Sequence, residues 1–251
     1  LAFLVAFAGI AAAAVERETT AEQLVQAERV RENFERYFSP QLAQRIAAHT
    51  TRVVPGGERR DVVVLFSDIR GFTAIAESMP ATEMAVQLNE YFTAMVDCVF
   101  RYEGALDKFI GDAIMAYWGA PDADDDGLVR AVAAAEDMQR HLASLNARWT
   151  REGRPTWSVG IGIHAGEAFV GNVGSPRRLE YTLIGDTVNV ASRLCSLAPG
   201  GAILVSEHVA LALAPTGRHA LRAPDLRYAR RDGGDCAAWR LHPLDGEDVP
   251  A

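Results

Sequence analysis

The stretch DVVVLFSDIRGFT, residues 61–73, anchors the reading of this 251-residue chain. Its first seven residues, from Asp61 to Ser67, are a β-branched, apolar run of buried-strand length. The run ends on Asp68, and Gly71 follows three residues later. A strand that delivers a carboxylate to a glycine loop suits phosphate. Amides at a following helix start point outward with a favourable dipole, glycine admits close approach of oxygen atoms, and a carboxylate can hold a bridging cation. Alone the signal is weak, because an aspartate after a strand is more often a helix cap.

Working downstream, helical periodicity covers residues 82–102. Two strand-like runs follow, at 105–109 and 113–117, separated by Ile110-Gly111-Asp112. A long amphipathic stretch from Gly127 to about Arg151 leads to strands at 157–164 and 168–173, a loop at 174–178, a helix at 187–197 and a strand at 202–206. Strand, helix, hairpin, helix, strand is the order of a split βαβ sheet of ferredoxin-like type, so one α+β domain is the economical reading.

Upstream, VVPGGERR at 53–60 has the punctuation of a loop. Residues 16–49 are polar, with Leu24, Ala27, Val30, Phe34 and Phe38 at helical intervals and a restart at Ser39-Pro40. This connector helix either pairs with its copy in a second subunit or packs on its own domain. Residues 1–15, LAFLVAFAGIAAAAV, are uncharged and stop at Glu16. The run falls short of the ~20 residues of a bilayer crossing and is read as the end of a transmembrane helix; no basic stretch precedes it, as a signal peptide would require. The expected boundaries are therefore 1–15 membrane segment, 16–57 connector and loop, 58–243 catalytic domain and 244–251 tail, with the domain on the cytoplasmic side of the cell membrane.

Composition excludes several classes. The formal net charge of -8, without any lysine-rich run, lacks the footprint that nucleic acid needs. Cys98, Cys195 and Cys236 are odd in number and show no ligand spacing, so neither a disulfide framework nor a zinc site is indicated, and a reducing cytosol fits. The acidic run from Asp122 to Gly127 resembles a calcium loop but has Ala133 where an EF-hand needs glutamate, and reads as a solvated loop capping the next helix. His164 has no second histidine or cysteine near it and reads as a core or loop residue.

Two more constellations accompany Asp68. Asp112 occupies the tight turn of an otherwise apolar hairpin; such residues are usually only turn formers, but two carboxylates on neighbouring strands are what a pair of hard cations needs. In YTLIGDTVNVASR, residues 181–193, Asn189 and Arg193 lie four apart and share a helix face, an amide beside a guanidinium able to clamp a charged transition state. A helix capped by Asp186 with a solvated arginine explains that segment equally simply.

Together these residues resemble the class III nucleotidyl cyclases, over roughly residues 58–240. The resemblance implies that Asp68 and Asp112 bind two divalent ions, Mg2+ or Mn2+, with the Ile69 carbonyl as a further ligand, and that amides of Gly71, Phe72 and Thr73 cradle a triphosphate. Lys108 stands where adenylyl cyclases read adenine N1 and guanylyl cyclases typically carry glutamate, so ATP is the expected substrate. Asn189 and Arg193 match the transition-state pair. Thr182 replaces the aspartate that in many adenylyl cyclases accepts from the adenine amino group, which is similar to a threonine-bearing, partly bicarbonate-responsive subclass. Arg230 and Arg231 are the nearest candidates for a triphosphate-binding basic residue, and neither is assigned. The implied reaction is in-line attack of the ribose 3′-oxygen on the α-phosphorus, giving 3′,5′-cyclic AMP and pyrophosphate, in a homodimer whose composite sites take metal aspartates from one subunit and Lys108, Asn189 and Arg193 from the other. The alternatives are a catalytically degenerate nucleotide-binding relay and, with less support, a guanylyl or diguanylate cyclase; the sole Gly-Gly-Asp, at 233–235, is in no hairpin context.

Overall fold

The computed structural model of the protein describes residues 55–175, 177–216, 219–229 and 235–243. The expectations for residues 1–15, for the connector up to residue 54, for Arg230 and Arg231 and for the tail lie outside them. Among the described residues no helix is long and apolar enough to cross a membrane.

The elements are β1 (Gly56–Ile69), α1 (Phe72–Ser78), α2 (Ala81–Arg101), β2 (Ala105–Ile110), β3 (Ala113–Trp118), α3 (Gly127–Arg151), β4 (Val159–Ser175), β5 (Arg178–Ile184), α4 (Asp186–Leu197), β6 (Ile203–Ser206), α5 (Glu207–Leu213), β7 (His219–Ala229) and β8 (Asp235–Pro243). They build one eight-stranded sheet in the order β2-β3-β1-β4-β6-β8-β7, with β5 paired to β4 off that path. The four strands β4-β1-β3-β2, all antiparallel neighbours, with α2 and α3 as crossovers, are the ferredoxin-like core expected from the element order.

β1 is the central strand because both of its faces are buried, which is why it reads as an unbroken apolar run rather than an alternation. Val63, Leu65 and Ile69 pack toward α2 and α3, joining Tyr91, Met95, Met138, Trp149 and Trp157. Trp149 and Trp157 meet edge to face at 5.0 Å, and Tyr91 lies 5.9 Å from Trp157. Val62, Val64 and Phe66 point the other way, to a second core with Met115, Tyr117, Val170, Leu183, Ala191 and Cys195.

α4 lies on this second face at close range because β4 presents glycine there. In VGIGI, residues 159–163, the isoleucines face α2 and α3, while a Cβ on Gly162 would stand 2.1 Å from the Cys195 amide nitrogen and 2.5 Å from the Ala191 carbonyl oxygen. Backbone rests on backbone, so the position of α4 is set without intervening side chains.

Several local expectations differ from the outcome. The segment 56–60, read as loop, opens β1, since Gly56 and Gly57 pair with Asn172 and Gly171. The two strands expected at 157–164 and 168–173 are one 17-residue strand, β4, whose first part pairs with β6 and whose last part pairs with β5. Neither Asp126 before α3 nor Asp186 in α4 caps through its side chain, and Gly185 is the N-cap of α4. The acidic loop is held instead by Arg130, within salt-bridge distance of Glu103, Asp124 and Asp126.

Candidate active site

The pairing of β1 with β3 sets Ser67 opposite Ile114, which brings the β2–β3 turn abreast of the β1 exit. The Ile69 amide donates to Asp112 Oδ2 at 3.1 Å, so Asp68, Ile69 and Asp112 share one end of the sheet. Burial, and then the neighbouring Asp68 carboxylate, push the Asp112 carboxyl up to about 6. Two neighbouring carboxylates offer the oxygen ligands that a hard divalent cation such as Mg2+ or Mn2+ takes.

Arg70, not singled out by sequence, is the cation at this end. Its guanidinium donates to Asp68 Oδ2 at 2.7 Å, to the Asp68 carbonyl at 3.1 and 3.3 Å, and to the Ser196 carbonyl at 3.4 Å. It ties the β1 exit to the last turn of α4, where positive charge is favoured. Gly71 then takes the left-handed conformation, φ 70°, and no side chain caps the first turn of α1.

A second group lies along β2 and β5. Lys108 and Thr182 line one cavity of about 520 Å³. Two carboxylates join them that sequence reading missed. Glu180 accepts from Lys108 Nζ at 2.7 Å, and Asp107 Oδ2 accepts from the Thr182 hydroxyl at 2.9 Å with Lys108 Nζ 3.8 Å away. Lys108 is thus engaged in the isolated chain rather than standing free. The Asp107 side chain is fully buried, and its Oδ1 has no hydrogen-bond partner. Burial pushes its carboxyl up to about 6, against the opposing pull of Lys108 and the Thr182 hydrogen bond. Glu180 could have been found from its i, i+2 relation to Thr182 once β5 was seen as a strand. Asp107 could not, because a bulge between Leu106 and Lys108 breaks the alternation there.

Asn189 and Arg193 are both exposed, one turn apart on α4, while Val190, Ala191 and Leu194 are buried beneath. They form a third group facing outward.

Among the described residues a further cluster of ligand-type side chains, Cys98, Asp137 and His141, lies between α2 and α3. It is satisfied without an ion. Asp137 pairs with Arg101 and Arg140, and His141 Nδ1 lies 3.0 Å from the Asp137 carbonyl. Burial pushes the Cys98 thiol up to about 12, so it offers no thiolate. His164 Nδ1 lies 2.7 Å from Ser206 Oγ, in keeping with the structural role expected for it.

The model of the adenylate and guanylate cyclase catalytic domain matches residues 54–232. An uncharacterised protein of Mycobacterium tuberculosis is 42% identical over 177 residues, 70% of this chain and 30% of the relative. A second uncharacterised M. tuberculosis protein is 40% identical over 171 residues, 68% of this chain and 30% of the relative. The chain therefore spans about 30% of the length of the curated relatives it matches. Among solved structures, the adenylyl cyclase CyaB from P. aeruginosa superposes with a TM-score of 0.71 at 30% identity, covering 78% of this chain and all (100%) of that one. A guanylyl cyclase superposes with a TM-score of 0.68 at 34% identity, covering 78% of this chain and 98% of that one.

Proposed function

Because the chain belongs to the class III nucleotidyl cyclases, the adenylate and guanylate cyclase catalytic domains, we propose that it converts ATP to 3′,5′-cyclic AMP and pyrophosphate. The observation that carries the choice of ATP is the cavity in which the Lys108 cation and the Thr182 hydroxyl lie together. An ammonium can donate to adenine N1, and a threonine oxygen can accept from the 6-amino group. Thr182 in place of an aspartate aligns the chain with the threonine-bearing, bicarbonate-responsive subclass.

The proposed work of the chain's own residues follows from the three groups. Asp68 and Asp112, with the Ile69 carbonyl, would hold Mg2+ or Mn2+, which when bound supplies acidification of the 3′-hydroxyl and neutralisation of phosphate charge. Gly71, Phe72 and Thr73 carry the uncapped amides at the start of α1, and these hold the phosphates. Asn189 orients the ribose, and Arg193 stabilises charge on the α-phosphate, worth ~3 kcal/mol or about a hundredfold in rate. In a homodimer the α4 pair and the base cavity of one subunit would face the metal carboxylates of the other. Residues 1–15, as the end of a membrane span, would hold the domain at the cytoplasmic face.

One observation favours a second reading. Glu180 places a carboxylate beside Lys108, and a carboxylate accepts well from guanine N1–H and the 2-amino group. Incubating the chain with ATP or GTP, with Mg2+ or Mn2+, and resolving the cyclic nucleotide by mass spectrometry separates the two. Cyclic AMP as the main product, lost in Asp68→Ala and diminished in Lys108→Glu, is expected. Predominant cyclic GMP would make the chain a guanylyl cyclase. Nucleotide binding without any product would make it a relay domain.

A further inference from the structure

The bulge in β2 has a chemical consequence at the base cavity. In a regular strand Asp107 and Lys108 would point to opposite faces, but the slip in register between Leu106 and Lys108 lets both approach Thr182. An ionised carboxylate has no proton to give, so in the 2.9 Å contact Thr182 is the donor and Asp107 Oδ2 the acceptor. The single hydroxyl hydrogen of Thr182 is thereby committed. What remains on that oxygen is acceptor capacity. A threonine without such a partner spends its hydrogen in other directions, so its oxygen is no longer held with lone pairs toward the cavity and accepts less well from an exocyclic amino group.

We infer that Asp107 is a positioning residue for base selection: by taking the Thr182 hydroxyl hydrogen it leaves only lone pairs toward the cavity, where they accept from the exocyclic amino group of a 6-aminopurine. The inference rests on the ATP reading and deepens it. Three features of the site agree with it. The Asp107 side chain is fully buried, so it acts on the cavity through Thr182 and Lys108 rather than by direct contact. Its Oδ1 lacks a partner, so half of its bonding capacity goes unused and it is poorly explained as a packing residue. Lys108 Nζ, 3.8 Å from the same Oδ2, keeps that oxygen facing two donors.

The test uses a nucleotide pair that differs only at the group concerned: ATP, and purine riboside 5′-triphosphate, which lacks the 6-amino group. In the full chain, kcat/KM is measured for both, or dissociation constants where turnover is absent. Wild type is expected to favour ATP by about tenfold, the worth of one hydrogen bond. Asp107→Ala should narrow the ratio severalfold by weakening ATP alone. Asp107→Asn should keep the ratio, because its amide oxygen is turned toward the two donors, Thr182 and Lys108, and still accepts the hydroxyl hydrogen. In a Thr182→Val background, Asp107→Ala should change the ratio no further. Equal losses for both nucleotides in Asp107→Ala, an unchanged ratio, or a loss in Asp107→Asn matching that in Asp107→Ala would overturn the inference. Failure of the ATP reading looks different: wild type itself would show no preference for ATP, or would produce cyclic GMP predominantly, and either result removes the inference with it.

Discussion

Replacing Asp107 by asparagine should make the protein more stable at neutral pH, by an amount that vanishes on acidification. The carboxyl stands near 6 in the folded chain against an ordinary value of 3.8. The folded state therefore holds the proton more tightly than the unfolded state. The contribution of this group to stability is greatest below about pH 4, declines as pH rises through the window from about 4 to 6, and is flat above it. A displacement of roughly two pK units corresponds to about 3 kcal/mol of destabilisation by the ionised group, an upper figure because water and Lys108 relax around it. Asparagine retains the shape and the acceptor for Thr182 but carries no charge. Urea unfolding of wild type and Asp107→Asn, followed by the fluorescence of buried Trp118, Trp149 and Trp157 at several pH values between 4.5 and 8, reads the difference directly. The variant should be 1 to 3 kcal/mol more stable at pH 8, by this ~3 kcal/mol ceiling, and by only about a third as much at pH 4.5. A gap that stays constant with pH, or a variant less stable than wild type at pH 8, would refute the reasoning.

Asp112→Asn should abolish cyclic nucleotide formation by at least about a hundredfold, assayed by mass spectrometry, while leaving the thermal midpoint unchanged or raised because one of two opposed carboxylates is gone. Gly162→Ala forces a methyl group into the α4 backbone and should cost about 1–3 kcal/mol, seen as a lower midpoint in thermal unfolding, with turnover falling further as Asn189 and Arg193 move. Glu180→Gln releases Lys108 from an exposed pair; stability should change by less than ~1 kcal/mol, and the KM for ATP should fall, read from initial rates. If sites form only between two chains, specific activity should drop on dilution, and residues 51–251 alone should lose it at higher protein concentration than the full chain, measured across a dilution series.

The ferredoxin-like core was legible because its signals are local and mutually consistent: an apolar run buried on both faces at 62–66, a helical period beginning near residue 82, and a hairpin marked by Gly111-Asp112. Asp68 and Asp112, the carboxylates proposed to hold metal, were picked out for the same reason, since each lies where a recognisable strand ends. β5 was not, because RLEYTLI carries charge at alternate positions and its hydrogen-bonding partner is the far end of β4. Lys108 and Thr182 were found through family resemblance. Their carboxylate neighbours were missed because contact between Asp107 and Thr182 is a property of a bulge and a strand pairing, neither of which has a signature in one chain's sequence. Arg70 was hidden differently: it lies beside Asp68, but its value as a tie comes from the end of α4, over a hundred residues on.

The β1–β4 ladder sets the order in which this protein can be made. Ile69 pairs with Val159 and Gly56 with Asn172, so every residue of the central strand waits for a partner on the order of a hundred residues downstream. At ribosomal speeds that is a delay of roughly 5 to 20 seconds, during which VVVLF, uncharged and rich in β-branched side chains, has left the ribosome with no native neighbour on one edge. Such a window is a template for intermolecular pairing. The flanking Asp61 and Asp68 are the nearest charges to interrupt it, so the carboxylate read here as a metal ligand in the finished enzyme also stands guard over the nascent chain.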